Sequence, residues 1–243
     1  MRVRLDTQLV ERGLAPSREK AKRLILAGAV RVNGQIAGKP SDLVEPEAGL
    51  TVEAAEKFVS RGGYKLEAAL DAFSINCENA VCLDVGASTG GFTDSLLQRG
   101  AKRVHAVDVG KGQLDWRVRQ DTRVVVHDEL NARNINLEDI GELVDLITVD
   151  VSFISLQKVL PAVAALLKPA GHLIALIKPQ FEAGRESVKK GGVVRDSAVH
   201  ERVKKQITDF ASHTLGLCVL GTLQSPLLGP AGNKEFLIGL QKP

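Results

Sequence analysis

The sequence predicts an α/β protein in which a small α+β domain precedes a larger, doubly wound and mostly parallel sheet of seven strands. Three observations predict it. From residue 80 onward, short apolar runs rich in β-branched residues alternate with helical patterns, which calls for a parallel sheet covered on both faces. The last two runs follow each other without a helix between them, which puts an antiparallel pair at one edge. The first 40 residues differ in pattern and charge: nine Lys or Arg stand against three Asp or Glu, a local +6 that leaves −3 for the rest of a chain of net +3. A basic segment joined to a near-neutral body suits a binder of phosphate backbones, although a solvated basic face without a partner is the plainer alternative.

Along the chain, Asp6–Gly13 and Ser17–Gly28 read as short helices separated by the turn Gly13-Leu14-Ala15-Pro16, with Ser17 as N-cap and Gly28 as stop. Ala29–Gln35 reads as a strand entering an Asn33-Gly34 hairpin, and Leu50-Thr51-Val52 as the returning strand. Residues 1–56 form this domain, 57–63 a linker, and 64–243 the larger domain. Gly62-Gly63 is expected to break any helix, and Tyr64–Phe73 to form one with Leu66, Ala69, Leu70 and Phe73 on a shared face. Strands follow at Val81–Val85, Val104–Val109, Val124–His127, Leu143–Val151 and Leu173–Ile177, with helices at Phe92–Arg99 and Ser155–Leu167. After a helix over Ala198–His213, strands at Cys218–Leu223 and Glu235–Leu240 complete a Rossmann-like sheet.

In open α/β sheets, ligands sit beyond the carboxyl ends of the strands. The first strand runs into Asp84-Val85-Gly86-Ala87-Ser88-Thr89-Gly90-Gly91-Phe92, where glycines permit close backbone approach. The spacing Gly-x-x-x-Gly-Gly is not that of a dinucleotide site. Asp84 suits a cationic amino group better than a phosphate, as in the methionine moiety of S-adenosyl-L-methionine. Asp84, Gly86, Ala87, Ser88, Thr89, Gly90, Gly91 and Phe92 are therefore candidate cofactor contacts. Asp108, followed by Val109, ends the second strand, where an acid pairs with ribose hydroxyls. Asp128 follows the third and is assigned to the adenine amine. The competing reading, ordinary turns capped by carboxylates, is strongest for Asp128.

The fourth strand ends Thr148-Val149-Asp150-Val151-Ser152-Phe153. Neither the Asn/Asp-Pro-Pro-aromatic run of amine methylation nor a Pro-Cys nucleophile occurs, and residues 83–217 contain no cysteine. The next strand ends Ile177-Lys178-Pro179, a lysine closing an apolar run. Lys65, Asp150, Lys178 and Glu235 resemble, in chain order, the Lys-Asp-Lys-Glu tetrad of FtsJ-type ribose 2′-O-methyltransferases. The residue types suit that task. A ribose hydroxyl is a weak acid and poor nucleophile, so it must be held in line with the methyl and relieved of its proton as the bond forms. The resemblance casts Lys178 as base or electrostatic guide for the hydroxyl, Asp150 and Glu235 as positioners of the lysines, and Lys65 as holder of the target nucleotide.

Arg4-Leu5-Asp6, Ser17-Arg18-Glu19-Lys20-Ala21 and the stretch Ile25–Gly34 resemble the small RNA-binding domain named after the fourth small-subunit ribosomal protein. This implies structured RNA held through its phosphates, with Arg4, Arg18, Lys20, Lys22, Arg23, Arg31 and Arg61 as contacts. Over its whole length the chain is similar to the TlyA (haemolysin A) family, on Phe58–Leu66, Asp84–Asp94, Asp150–Ser155, Lys178–Gly184 and Gly191–Asp196. The resemblance implies 2′-O-methylation of a cytidine in ribosomal RNA, with ribosomal RNA or a ribosomal subunit as partner; the short termini resemble members acting on the large subunit alone. In His127-Asp128-Glu129-Leu130-Asn131-Ala132-Arg133, either Asp128 or Glu129 fills the adenine role, and the spacing favours Asp128.

Two rival classes are a non-catalytic ribosomal RNA-binding assembly factor and a membrane-lytic haemolysin. The complete tetrad speaks against the first. Against the second, no apolar stretch approaches the roughly 20 residues needed to cross a bilayer, and Met1-Arg2-Val3-Arg4-Leu5-Asp6 lacks the apolar core of a secretory signal. The three cysteines show no metal-ligand spacing, so no metal is expected, and the location is read as cytoplasmic.

Overall fold

The computed structural model describes residues 2–52, 56–188, 191–229 and 231–243. The chain forms two compact units, Met1–Lys57 and Phe58–Pro243.

In the first unit, β1 (Val3–Arg4) leads into α1 (Leu5–Glu11) and α2 (Arg18–Leu26), followed by β2 (Val30–Val32), β3 (Gln35–Ile36), β4 (Leu43–Val44) and β5 (Leu50–Val52). Ser17 caps α2 as its sequence position suggests, its hydroxyl accepting from the Lys20 amide at 3.2 Å. Asn33 (φ 50°) and Gly34 (φ 82°) both take the left-handed conformation that a tight hairpin turn demands. β2 pairs antiparallel with β3 and β5, while β1 pairs with β4. Leu5, Leu9, Ala21, Ile25 and Val30 form a dry core.

The second unit contains α3 (Gly62–Ala72), β6 (Val81–Val85), α4 (Gly91–Gln98), β7 (Arg103–Val107), α5 (Trp116–Arg119), β8 (Val124–His127), α6 (Leu137–Ile140) and β9 (Val144–Val149). It continues with α7 (Leu160–Ala165), β10 (Leu167–Ile177), α8 (Pro179–Glu182), α9 (Ser197–Asp209), β11 (Cys218–Gln224) and β12 (Phe236–Gln241). The seven strands lie in the order β11-β12-β10-β9-β6-β7-β8, with β12 antiparallel to both its neighbours and the remaining pairs parallel. This is the expected doubly wound sheet with its antiparallel edge. Side chains alternate across it: Leu83, Val85, Ile147 and Val149 pack with α7 and α9 residues on one face, Cys82, Val104, Leu146 and Ile174 with α3 and α4 residues on the other. Strand order reverses between β6 and β9, so a crevice opens beyond their carboxyl ends.

Several boundaries differ from expectation for identifiable reasons. Gly62-Gly63 opens α3 rather than breaking it, and the glycine at 63 serves close packing there, since a Cβ would lie 2.2 Å from the Phe58 ring. Residues 58–63, read from sequence as a linker, lie in the second unit, where Phe58 is buried and the Val59 amide donates to Asp94 Oδ2 at 2.8 Å. The expected helix Ser155–Leu167 divides into a 3₁₀ turn at Leu156–Lys158 and α7, which carries a proline in its first turn. The helix expected over Ala198–His213 ends at Asp209 and continues as a π-helical turn, Phe210–Thr214.

Candidate active site

The glycine-rich turn is built for close approach. Gly86 sits at φ 83°, and a Cβ there would lie 2.4 Å from the Asp150 carbonyl oxygen, so the ends of β6 and β9 meet only because Gly86 lacks a side chain. Gly90, at φ 92°, turns the chain into α4, and a Cβ on Gly91 would lie 2.2 Å from Ser60 Oγ. Two adjoining clefts flank this turn and share Gly86, Ser88, Asp150 and Ser152. One, of about 510 Å³, is lined by Ser60, Arg61, Lys65, Thr89, Phe92 and Lys178 among others. The other, of about 520 Å³, runs past Asp108, Val109 and Asn131 to Phe153.

The four charged residues resembling the tetrad form two ion pairs. Lys65 Nζ donates to Glu235 Oε2 at 2.6 Å, with the Glu235 side chain only 1% exposed. Lys178 Nζ lies 2.6 Å from Asp150 Oδ1, whose side chain is 23% exposed, and donates to Ser152 Oγ at 2.8 Å. Lys65, Asp150 and Lys178 line the same cleft. Glu235 Oε1 is buried without a hydrogen-bond partner among the described residues, and Gly229 leaves room for it, since a Cβ there would lie 2.4 Å away. Glu182 of α8 ties down the segment after β9, accepting from Ser155 Oγ at 2.6 Å and the Leu156 amide at 2.8 Å; burial pushes its carboxyl above the ordinary value.

The candidate cofactor contacts fall into two groups. Gly86, Ala87, Ser88, Thr89, Gly91, Phe92, Asp108 and Val109 line the clefts, with Val109 72% exposed on the wall. Asp108 accepts from the Ser88 amide at 2.8 Å and the Gly110 amide at 2.7 Å, which leaves carboxylate lone pairs for a further donor. Asp84 differs from its expected role. It is wholly buried and lines neither cleft; its oxygens accept from Thr93 Oγ1 at 2.7 Å and Thr148 Oγ1 at 2.9 Å, and burial raises its carboxyl to about 6. Gly90 also lies off the clefts, packed against Leu114. Asp128 pairs with Arg119 at 3.3 Å on a small recess that shares Ala87, Ser88, Asp108 and Gln113 with the clefts, while Leu130, Asn131, Ala132 and Arg133 line the cleft wall itself.

The basic residues also divide. Arg4 and Arg18 hold the buried Asp6 carboxylate at 2.9 and 3.2 Å, lowering its pKa to about 2. Lys20, Lys22 and Arg23 are exposed on α2, and Arg31 lies half-buried on β2. Arg61 lines the first cleft and donates to the Leu228 carbonyl at 2.9 Å. The sequence reading missed Ser60, Ser152, Asn131, Phe153 and Leu228 as lining residues. Phe153 carried the clearest signal, an aromatic beside Asp150; it is 90% exposed at φ 64° and stands 5.0 Å from the Phe181 ring.

Comparison with known proteins identifies the family. Residues 58–242 match the FtsJ-like methyltransferase family and residues 3–50 the S4 domain. The 16S/23S rRNA (cytidine-2′-O)-methyltransferase TlyA of Mycobacterium tuberculosis is 47% identical over 242 residues, covering 99% of this chain and 90% of its own. The chain belongs to the TlyA family of methyltransferases. Another relative, named Hemolysin A, from Brachyspira hyodysenteriae, is 42% identical over 97% of this chain and 98% of its own. A solved structure from Streptococcus thermophilus that carries the hemolysin name superposes with TM-score 0.75 at 44% identity, covering 99% of this chain and 88% of that one. Among the described residues, no helix is long and apolar enough to cross a membrane.

Proposed function

We propose that this TlyA-family chain, acting in the cytoplasm, transfers a methyl group from S-adenosyl-L-methionine to the 2′-hydroxyl of a cytidine in ribosomal RNA, as the name of its M. tuberculosis relative states for that protein. The observation that carries the reading is the meeting of Lys65, Asp150 and Lys178 in one cleft at the glycine turn, with Glu235 bonded to Lys65. When bound, the cofactor supplies an electrophilic methyl on sulfur.

The cleft suits that group. Gly86 and Gly91 put bare backbone on the cleft lining, Asp108 has acceptor capacity for ribose hydroxyls, and Val109 offers an apolar surface to a purine. Asp84 acts underneath, holding Thr93 of α4 and Thr148 of β9 and so fixing the turn between them. Lys178 lies where it can take the proton of an incoming hydroxyl, with Asp150 stabilising the ammonium that results. Lys65, locked to Glu235, presents a fixed positive charge that orients the substrate sugar-phosphate. Lys20, Lys22 and Arg23, exposed on one helix, supply sequence-independent attraction to the RNA backbone.

The test incubates the protein with methyl-labelled S-adenosyl-L-methionine and unmethylated ribosomal subunits, large and small, and maps modified riboses. Label at a cytidine 2′-oxygen, lost in Lys178→Ala, is the expected result. Label on a base, or undiminished incorporation by Lys178→Ala, overturns the mechanism.

A further inference from the structure

Ser152 has no counterpart in the Lys-Asp-Lys-Glu tetrad, yet it touches the lysine at its centre. Lys178 Nζ donates to Ser152 Oγ at 2.8 Å. Asp150 Oδ1 is nearer, at 2.6 Å, but it is buried and makes no aligned hydrogen bond among the described residues. The two contacts therefore act differently on the amine. Coulomb attraction to a carboxylate depends mainly on distance, whereas a hydrogen bond weakens steeply with misalignment and so fixes direction. Asp150 supplies charge, and Ser152 sets the rotation of the amine about its Cε–Nζ bond.

We propose that Ser152 is a positioning residue that aims the Lys178 amine at the hydroxyl to be methylated; this rests on the methyl transfer proposed above. A neutral amine has two N–H bonds and one lone pair at tetrahedral positions. With one N–H directed at Ser152 Oγ, two positions remain. A carboxylate favours an N–H on its own side over a lone pair, so Asp150 takes the second N–H and the lone pair occupies the third position. Lys178 lines the first cleft, and Ser152 and Asp150 line both, so the third position is assigned to the open cleft, where sugar and methyl would meet. The transfer then balances. The hydroxyl O–H bond breaks and its proton joins the Nζ lone pair; the oxygen forms the new O–CH₃ bond while the methyl–sulfur bond breaks and its electron pair stays on sulfur. The backbone holds Ser152 in place through its neighbours, because Glu182 pins Ser155 and Leu156 while α8 begins immediately after Lys178.

The test compares wild type, Ser152→Ala and Ser152→Thr in the methylation assay on ribosomal subunits, with cofactor affinity and thermal melting measured alongside. Removing the hydroxyl should lower kcat at least tenfold while KM for RNA and cofactor Kd stay within twofold. Threonine, which keeps the hydroxyl, should recover at least half of wild-type kcat. A kcat for Ser152→Ala within twofold of wild type overturns the proposal, as does a loss confined to KM or cofactor Kd, or a threonine variant no better than alanine. Failure of the wild type to methylate would instead strike the proposed function.

Discussion

Asp84 offers a quantitative check on how the cofactor turn is built. Its carboxyl is wholly buried, and although Thr93 and Thr148 both donate to it, desolvation prevails and raises it from 3.8 to about 6. Because the folded value lies above the unfolded one, the native state holds an extra proton between them. The contribution of Asp84 is therefore fully present below pH 3.8 and is lost as pH rises through 6. That displacement corresponds to about 3 kcal/mol in full, roughly half of it falling between pH 5 and 7. Asp84→Asn removes the titration while keeping partners for both hydroxyls, since a threonine hydroxyl can also accept from the amide. Urea unfolding of the whole chain, followed by circular dichroism from pH 4.5 to 8, should show the variant gaining on wild type as pH rises, by about 1 to 2 kcal/mol. If the two stability curves ran parallel across that range, Asp84 would not be a desolvated carboxylate, and the turn would have to be held in another way.

Gly86→Ala should abolish cofactor binding in calorimetric titration, because its Cβ would collide with the Asp150 carbonyl and its φ of 83° is strained for alanine; near-normal affinity would show that the β6–β9 gap is wider than described. Lys65→Ala should destabilise by about 3 kcal/mol as well as inactivate, since it strands Glu235 in a dry site. Lys178→Ala should inactivate at a smaller cost, about 1 kcal/mol, since the Asp150 side chain is part-exposed although its Oδ1 is buried; equal melting temperatures for the two variants would contradict this. Asp6→Asn should destabilise the N-terminal unit at neutral pH by about 1 kcal/mol after allowance for solvent screening. Its depressed carboxyl contributes above pH 4 and loses that contribution as pH falls toward 2, so the gap between the two melting curves should narrow over that interval.

The sheet was legible because buried parallel strands must be apolar on both faces, and the runs at 81–85, 104–107 and 173–177 have no other use for that pattern. The two-residue pairing of β1 with β4 was not, because segments that short carry no periodicity. Asp84 shows how sequence proximity misleads at a site. Adjacency to the glycines put it at the glycine turn, but beneath the clefts rather than on their lining. Its partners are 9 and 64 residues away, and only the register pairing Asp84 with Thr148 brings the second to it. The signal available was an acid inside an apolar strand, which burial allows only with dedicated donors. Asp128 was hard to place for a similar reason: the basic helix α5 supplies Arg119 as an ion-pair partner that its own stretch of sequence does not announce.

Four charged residues in a fixed chain order read as four equal members, and the structure separates them. Lys65 and Glu235 form an aligned pair whose acid is almost inaccessible, which restrains the lysine at the cleft wall. Lys178 and Asp150 form a pair open to water on the acid's side and joined by proximity rather than alignment, at the junction of both clefts. A group that must gain and lose a proton during turnover cannot be locked against its counter-charge, because a rigid ion pair in low dielectric opposes every change of protonation. A group that only marks where the substrate sits benefits from that rigidity. The difference in burial between Glu235 and Asp150 thus favours the proposed division, with Lys65 positioning and Lys178 reacting, and residue type alone carries no trace of it.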